Sequence, residues 1–206
     1  MTNDELINAV CNELRSVYGC HTAILYGSRA RDDWDEASDV DVIAFRNSGE
    51  QERVASRWNG VFLDLFIYPD MEQPDPSWIR ITGGQILFQT DGYGDRVLDE
   101  VKRLFDEGPE RVPVAELRVR KAWAQKMLER AAKQDIEGNY RMHWLLFVLL
   151  EDYFAVRDRW YLGPKKSLRL INDESEAEFR TFETAFAPGA SIAEVQCAID
   201  LVFEGI

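Results

Sequence analysis

Three aspartates and a glycine-serine pair are the residues of this chain whose types and spacing could do chemistry. Gly27-Ser28 is followed, after ten residues, by Asp39-Val40-Asp41, and a third carboxylate, Asp64, stands alone in the apolar run 61–67. Residues 39–46 read as a strand. Side chains alternate along a strand, so Asp39 and Asp41 share one face, with Cα atoms roughly 6.6 Å apart, twice the strand rise. Carboxylates at that spacing suit one or two Mg²⁺ ions, which prefer hard oxygen ligands and bridge to phosphates. Two such ions about 3.5–4 Å apart clamp the attacking and leaving oxygens in phosphoryl chemistry. A lone Asp64 in a central strand is costly to bury without a cation or donors, and a metal shared with Asp39 and Asp41 would supply the cation. Gly27 permits a tight turn or a close approach to a ligand. Ser28 reads as an N-cap, and a helix start with free N–H groups and a hydroxyl makes a phosphate seat. Arg29 and Ser38, at either end of the intervening loop, join Gly27 and Ser28 as candidate nucleotide-binding residues.

The elements that must position these residues follow from hydrophobic periodicity. Thr2-x-x-Glu5 is a capping box, and Leu6, Ile7, Val10, Leu14 and Val17 follow at helical spacing, so a helix is expected over about 3–18. Strands are expected at about 22–27, 39–46 and 61–68, with a short helix at 28–33 and a short polar helix at 50–58. Residues 69–76 contain three prolines and read as a loop. Residues 81–88 suggest a fourth strand with a glycine kink, and 95–105 an amphipathic helix. Gly108-Pro109 and Pro113 then punctuate the chain. Beyond them the strand signal ends, and helices are expected at 114–134, 140–159, 165–172, 175–187 and 191–204. The expected class is therefore α/β (α+β). A domain with a small mixed sheet flanked by helices, carrying the three aspartates, is expected over 1–108, and an all-α bundle over 109–206.

Composition narrows the function. The chain has 206 residues, 46% of them apolar, with 6 Trp and 11 Phe, which is enough for a sizeable core. Its formal charge of −13 repels a phosphate backbone, so a nucleic-acid partner is not expected. The same charge would attract a polycation. The acidic cluster Asp32, Asp33, Asp35 and Glu36, beside Trp34, is either a lip for a cationic acceptor or a solvated loop. Three scattered cysteines without metal spacing, a polar and acidic start, and no apolar run of about 18 residues point to a cytoplasmic protein with no membrane association.

Gly27-Ser28 with Asp39-Val-Asp41 and Asp64 resembles the polymerase-β-like nucleotidyltransferase superfamily. That resemblance implies catalytic and metal-binding roles for Asp39, Asp41 and Asp64, two Mg²⁺ ions, and ATP as donor. Residues 78–101, with Gly84-Gln-Ile-Leu-Phe-Gln-Thr-Asp91 and Gly94 before a helix, are similar to the kanamycin nucleotidyltransferase family. Residues 128–133 resemble a segment of that family with glutamate and lysine at i, i+4. The resemblance implies that Glu129 is the general base, that Lys133 contacts nucleotide phosphates, that the acceptor is a small hydroxylated and cationic molecule of the aminoglycoside type, and that the protein is a homodimer. Glu151 and Asp152 are rival bases, because a carboxylate desolvated beside an apolar run has a raised pKa. Two other classes remain open: an antitoxin-like or regulatory nucleotidyltransferase acting on a protein partner, and a nucleotide sensor without activity.

Overall fold

A computed structural model of the chain describes residues 2–31, 34–36, 38–70 and 76–206. Asp32 and Asp33 of the acidic cluster, and most of the proline-containing loop, lie outside the described residues. The chain divides into two compact units, Met1–Glu107 and Gly108–Ile206.

The first unit opens with α1 (Asn3–Ser16). The Thr2 hydroxyl accepts the Glu5 N–H at 3.2 Å and the Glu5 carboxylate accepts the Thr2 N–H at 2.8 Å, which satisfies two donors at the helix start. A mixed five-stranded sheet follows, built from β1 (Thr22–Tyr26), β2 (Val40–Arg46), β3 (Glu52–Trp58), β4 (Val61–Pro69) and β5 (Gln85–Phe88). Its order is β3-β4-β2-β1-β5; β2 and β4 run parallel, and the other pairs are antiparallel. A helix, α2 (Tyr93–Glu107), closes the unit.

Strand alternation divides the sheet into two faces. Val40, Val42 and Ala44 of β2, with Leu63, Leu65 and Ile67 of β4, pack against Leu6, Val10 and Leu14 of α1. Ile43 and Phe45, with Ile24, Tyr68 and Trp78, pack against Val97 and Val101 of α2. Asp41 and Asp64 occupy the in-between positions on this second face, at the N-terminal end of its apolar rows.

Two expected elements differ in the structure. Residues 50–58, expected as a polar helix, contain the edge strand β3. The run has no apolar stripe to seat a helix, whereas Asn59-Gly60, with φ of 50° and 87°, makes the two-residue turn that pairs Trp58 with Val61. Both positive φ values match the twist of a tight hairpin, and the ladder to β4 satisfies the backbone of an otherwise polar segment. The strand expected over 81–88 is only Gln85–Phe88; before it, Pro76–Ile81 is a short 3-10 helix ended by the Gly83-Gly84 turn. The helix expected at 28–33 is a single 3-10 turn, Arg29–Arg31, within the described residues.

The second unit is all-helical: α3 (Val114–Ala131), α4 (Ile136–Val156), α5 (Pro164–Glu174), α6 (Glu176–Ala185) and α7 (Ile192–Val202). Its core gathers Leu145, Leu149, Phe154, Phe182, Val195, Ile199 and Val202, all fully buried. Asp135 caps α4 by accepting the Gly138 N–H at 2.7 Å, and Ser191 caps α7 with Glu194. Among the described residues no helix is long and apolar enough to cross a membrane.

Candidate active site

The site is a row of side chains across the sheet. Tyr26 of β1 pairs with Asp41 of β2, and Asp41 with Asp64 of β4. Parallel register therefore sets two carboxylates side by side, and Asp39, immediately before β2, adds a third negative charge. Burial pushes the Asp41 carboxyl up to about 6, and Asp39 and Asp64 push in the same direction. Arg31 and Arg80 oppose the rise without reversing it. Like charges in a partly desolvated place favour the neutral acid until a cation arrives.

Gly27 holds the other side of Asp41. Its φ of 75° lies in the left-handed region, and a Cβ built there would lie 2.1 Å from Asp41 Oδ2. Only a glycine lets the β1 turn come this close to the carboxylate. Ser28, half-buried, begins the 3-10 turn by accepting the Arg31 N–H with its carbonyl at 3.1 Å.

Asp64 has a partner that the sequence reading did not foresee. Arg53 of β3 donates Nε to Oδ1 at 3.0 Å and Nη2 to Oδ2 at 3.1 Å, a two-pronged ion pair. Among the described residues no three acidic, histidine or cysteine side chains are gathered closely enough to hold a metal ion. Asp39 and Asp41 offer hard oxygen donors that suit a divalent cation, and the raised Asp41 gains most from one. Asp64 can contribute only by sharing an oxygen with Arg53.

Two candidates for phosphate contact are otherwise engaged. Arg29 is 4% exposed, and it donates to the Asp39 carbonyl at 3.1 Å, the Ser38 carbonyl at 2.9 Å and Asn3 Oδ1 at 2.8 Å. Its guanidinium also lies 4.6 Å from the Trp34 ring centre. Arg29 therefore braces the loop that delivers Asp39, rather than facing a phosphate. The Ser38 hydroxyl accepts the Asp35 N–H at 3.0 Å and donates to Asp35 Oδ1 at 3.1 Å, which folds the same loop on itself.

Glu129 and Lys133 lie in the second unit, both exposed. They do not form the helical i, i+4 pair expected of them, because α3 ends at Ala131. Lys133 stands in the turn beyond, where Gln134 adopts a φ of 56° and the Lys133 N–H bonds the Arg130 carbonyl at 3.2 Å. Of the rival bases, Asp152 is 2% exposed and held by Arg120 Nη1 at 3.0 Å, so it serves as a buried ion pair. Glu151 is half-buried, and desolvation followed by the Asp152 charge raises its pKa.

Sequence reasoning also missed Arg80. It lies in the short helix Pro76–Ile81, with its guanidinium 4.0 Å from the Phe66 ring centre and 5.8 Å from that of Tyr26. One signal was available: a lone arginine in the apolar run Trp78-Ile79-Arg80-Ile81, where a cation needs a reason. Arg53 was hidden because its segment was read with helical rather than strand periodicity.

Comparison with known proteins bears on the N-terminal stretch. Residues 5–80 match the family described as nucleotidyltransferase domain. No curated protein matches the chain. Among solved structures, the chain is similar to the crystal structure of a nucleotidyltransferase-like protein from Exiguobacterium sibiricum 255-15. The two are 13% identical, 97% of this chain and 73% of that chain are covered, and the TM-score is 0.44. A domain of the matched family transfers a nucleotidyl group and takes a nucleoside triphosphate as substrate. Gly27, Ser28, Asp39, Asp41 and Asp64 all fall inside the matched stretch, so the N-terminal unit is similar to a nucleotidyltransferase domain over the residues that carry the site.

Proposed function

We propose that the protein transfers AMP from ATP to a hydroxyl of a small molecule, with an aminoglycoside-type antibiotic as the leading acceptor. The observation that carries this reading is Asp41: a half-buried carboxylate with its pKa raised to about 6, flanked by Asp39 and Asp64 and faced by a glycine that leaves no room for a side chain. A carboxylate so placed is poorly stabilised by its own protein and well suited to a cation brought with a triphosphate.

Asp39, Asp41 and Asp64 would hold Mg²⁺, which when bound neutralises charge on the triphosphate and polarises the α-phosphate. Gly27 admits the phosphates close to the backbone, and the Ser28 hydroxyl offers them a donor. Asp64, kept in one orientation by Arg53, aligns the acceptor hydroxyl. The hydroxyl oxygen forms a bond to the α-phosphorus, the bond from that phosphorus to the bridging oxygen breaks, pyrophosphate leaves, and the hydroxyl proton passes to a carboxylate base. Positioning and charge neutralisation supply most of the acceleration in this chemistry. The net charge of −13 favours a cationic acceptor.

The test is pyrophosphate release from ATP and Mg²⁺ across a panel of aminoglycosides and lincosamides, with Asp39→Asn as control. Release with one acceptor, abolished in the variant, is the expected result. Silence across the panel while ATP still binds would remove the antibiotic acceptor. Glu129→Gln and Lys133→Met belong in the same assay: unchanged rates would remove the base and phosphate roles suggested by resemblance.

A second reading, transfer to or regulation of a protein partner, draws on α4. Ile136, Tyr140 and Phe147 are 90%, 64% and 65% exposed, and Trp144 lies between them on the same helix. A stripe of large apolar side chains open to solvent is a common mark of a protein interface. Stable co-purification of a partner that acquires AMP would favour this reading over the small-molecule acceptor.

A further inference from the structure

The guanidiniums of this chain are bonded almost everywhere that they are buried. Arg29 has three oxygen acceptors. Arg46 leaves only Nε unbonded, while its other nitrogens reach Glu52 and the Glu50 carbonyl. Arg141 leaves only Nε, while its other nitrogens reach Met127 and Glu137. Arg80 differs. Among the described residues it is the one arginine with two buried nitrogens, Nε and Nη2, that have no hydrogen-bond acceptor.

Its ring contacts hold it there. The Phe66 ring is approached by two guanidiniums, Arg80 at 4.0 Å and Arg53 at 4.7 Å from the ring centre, yet of the two only Arg53 hydrogen-bonds a carboxylate. Phe66 is two residues along β4 from Asp64, on the same face, and Tyr26 is the register partner of Asp41. A cation with two unbonded donors, whose charge already acts on Asp41, therefore stands beside the carboxylate row. Its stacking on rings accounts for its planar face but leaves its donor edge unsatisfied, and an unsatisfied buried charged donor is expensive.

We propose that Arg80 is a phosphate-binding residue of this site, with its Nε–Nη2 edge, shut from solvent in the ligand-free fold, turning to take two oxygens of a phosphate group when the ligand binds. The inference rests on the nucleotidyltransferase reading and deepens it. That edge of a guanidinium matches two phosphate oxygens in parallel, which a lysine cannot reproduce. A phosphate next to Asp39, Asp41 and Asp64 also needs a local cation from the protein, because the surrounding carboxylates repel it. The phosphate belongs either to the nucleotide or to a phosphorylated acceptor.

The experiment is isothermal titration of the full chain with ATP plus Mg²⁺, inorganic pyrophosphate, inorganic phosphate, and adenosine as the phosphate-free control. Arg80→Met and Arg80→Lys are compared with the wild type. Arg80→Met should weaken the phosphate-bearing probes roughly tenfold to a hundredfold, as expected for lost charge-assisted hydrogen bonds. It should leave adenosine unchanged, and Arg80→Lys should recover only part of the loss. Loss with ATP and pyrophosphate assigns the phosphate to the nucleotide; loss with inorganic phosphate alone assigns it to an acceptor. Unchanged affinity for all three phosphate probes overturns the proposal, and it leaves the transferase reading intact if Asp39-dependent pyrophosphate release persists. A wild type that binds none of them sinks both. Thermal unfolding of the ligand-free variants adds an independent reading. Removing an unsatisfied buried cation should leave the midpoint of Arg80→Met unchanged or higher, and a fall of many degrees would show that Arg80 is a structural cation instead.

Discussion

Asp41 in the sheet and Asp152 in the helical unit are both aspartates withdrawn from water, and the two units handle them differently. Burial raises the pKa of each. Around Asp152, Arg120 answers that burial with a hydrogen bond and its charge. Around Asp41, the next largest influences are two more carboxylates, which make matters worse, and Arg31 and Arg80 only moderate them. The helical unit uses its aspartate to hold helices together. The sheet keeps its aspartate in a state that an incoming cation would relieve. A buried carboxylate with a partner is scaffold, and one among like charges marks a site.

Substituting Asp41 should give the largest effect. Asp41→Asn is expected to lower transfer at least roughly a thousandfold, the scale of several kcal/mol of lost charge stabilisation. The same change should not weaken the metal-free fold. In the folded state Asp41 holds its proton up to about pH 6, above the ordinary carboxylate value of 3.8. Its contribution to stability is therefore complete below the ordinary value and is lost as the pH rises through about 6. Denaturant unfolding of metal-free protein should show stability falling over that window, by roughly 1–3 kcal/mol. In Asp41→Asn the fall should flatten. An unchanged pH profile would mean that Asp41 is not the unsupported carboxylate described here.

Next in size is the opposite experiment on the helical unit. Arg120→Met strands Asp152 in a buried place, which should cost about 3 kcal/mol or more of stability. Adding Asp152→Leu to that variant should recover most of it, since a packed apolar pair replaces a buried ion pair at little cost. Chemical denaturation of the single and double variants decides the matter. If Arg120→Met unfolds at the wild-type midpoint, the contrast between the two aspartates fails.

The smallest of the three concerns the gap beside Asp41. Gly27→Ala places a Cβ against Asp41 Oδ2 and holds a left-handed backbone that costs about 1–2 kcal/mol for an ordinary residue. The expected outcome is a modest loss of thermal stability with a larger loss of pyrophosphate release, because the carboxylate must move. Full activity in this variant would show that the close approach of the turn to Asp41 has no role.

Much of this could be read from the chain before folding was considered, but not evenly. Thr2 and Glu5 announce α1 because a capping box is a local hydrogen-bond circuit. The apolar alternation of 40–45 and 61–67 announces β2 and β4, and it puts Asp41 and Asp64 off the α1 face. The period of a strand is a local property, so the face of each aspartate was legible. β3 was not, because an edge strand has few buried side chains to mark it; its pairing is decided by the Asn59-Gly60 turn and the exposed ladder of β4. Arg29 was read as facing a ligand because nothing in the sequence says that Asn3, Ser38 and the Asp39 carbonyl converge on it from separate segments.

The sequence by itself determined which residue types could do chemistry and the side of the sheet from which Asp41 and Asp64 would project. Only the tertiary structure decided their partners and charge states: Arg53 on Asp64, Gly27 against Asp41, Arg120 on Asp152, and Arg80 with two donors unused. The reason is physical. Spacing along a strand or helix fixes direction, since backbone geometry repeats. A pKa, an ion pair or an unsatisfied donor depends on the few ångströms between residues far apart in the chain, and only strand register and packing set those distances.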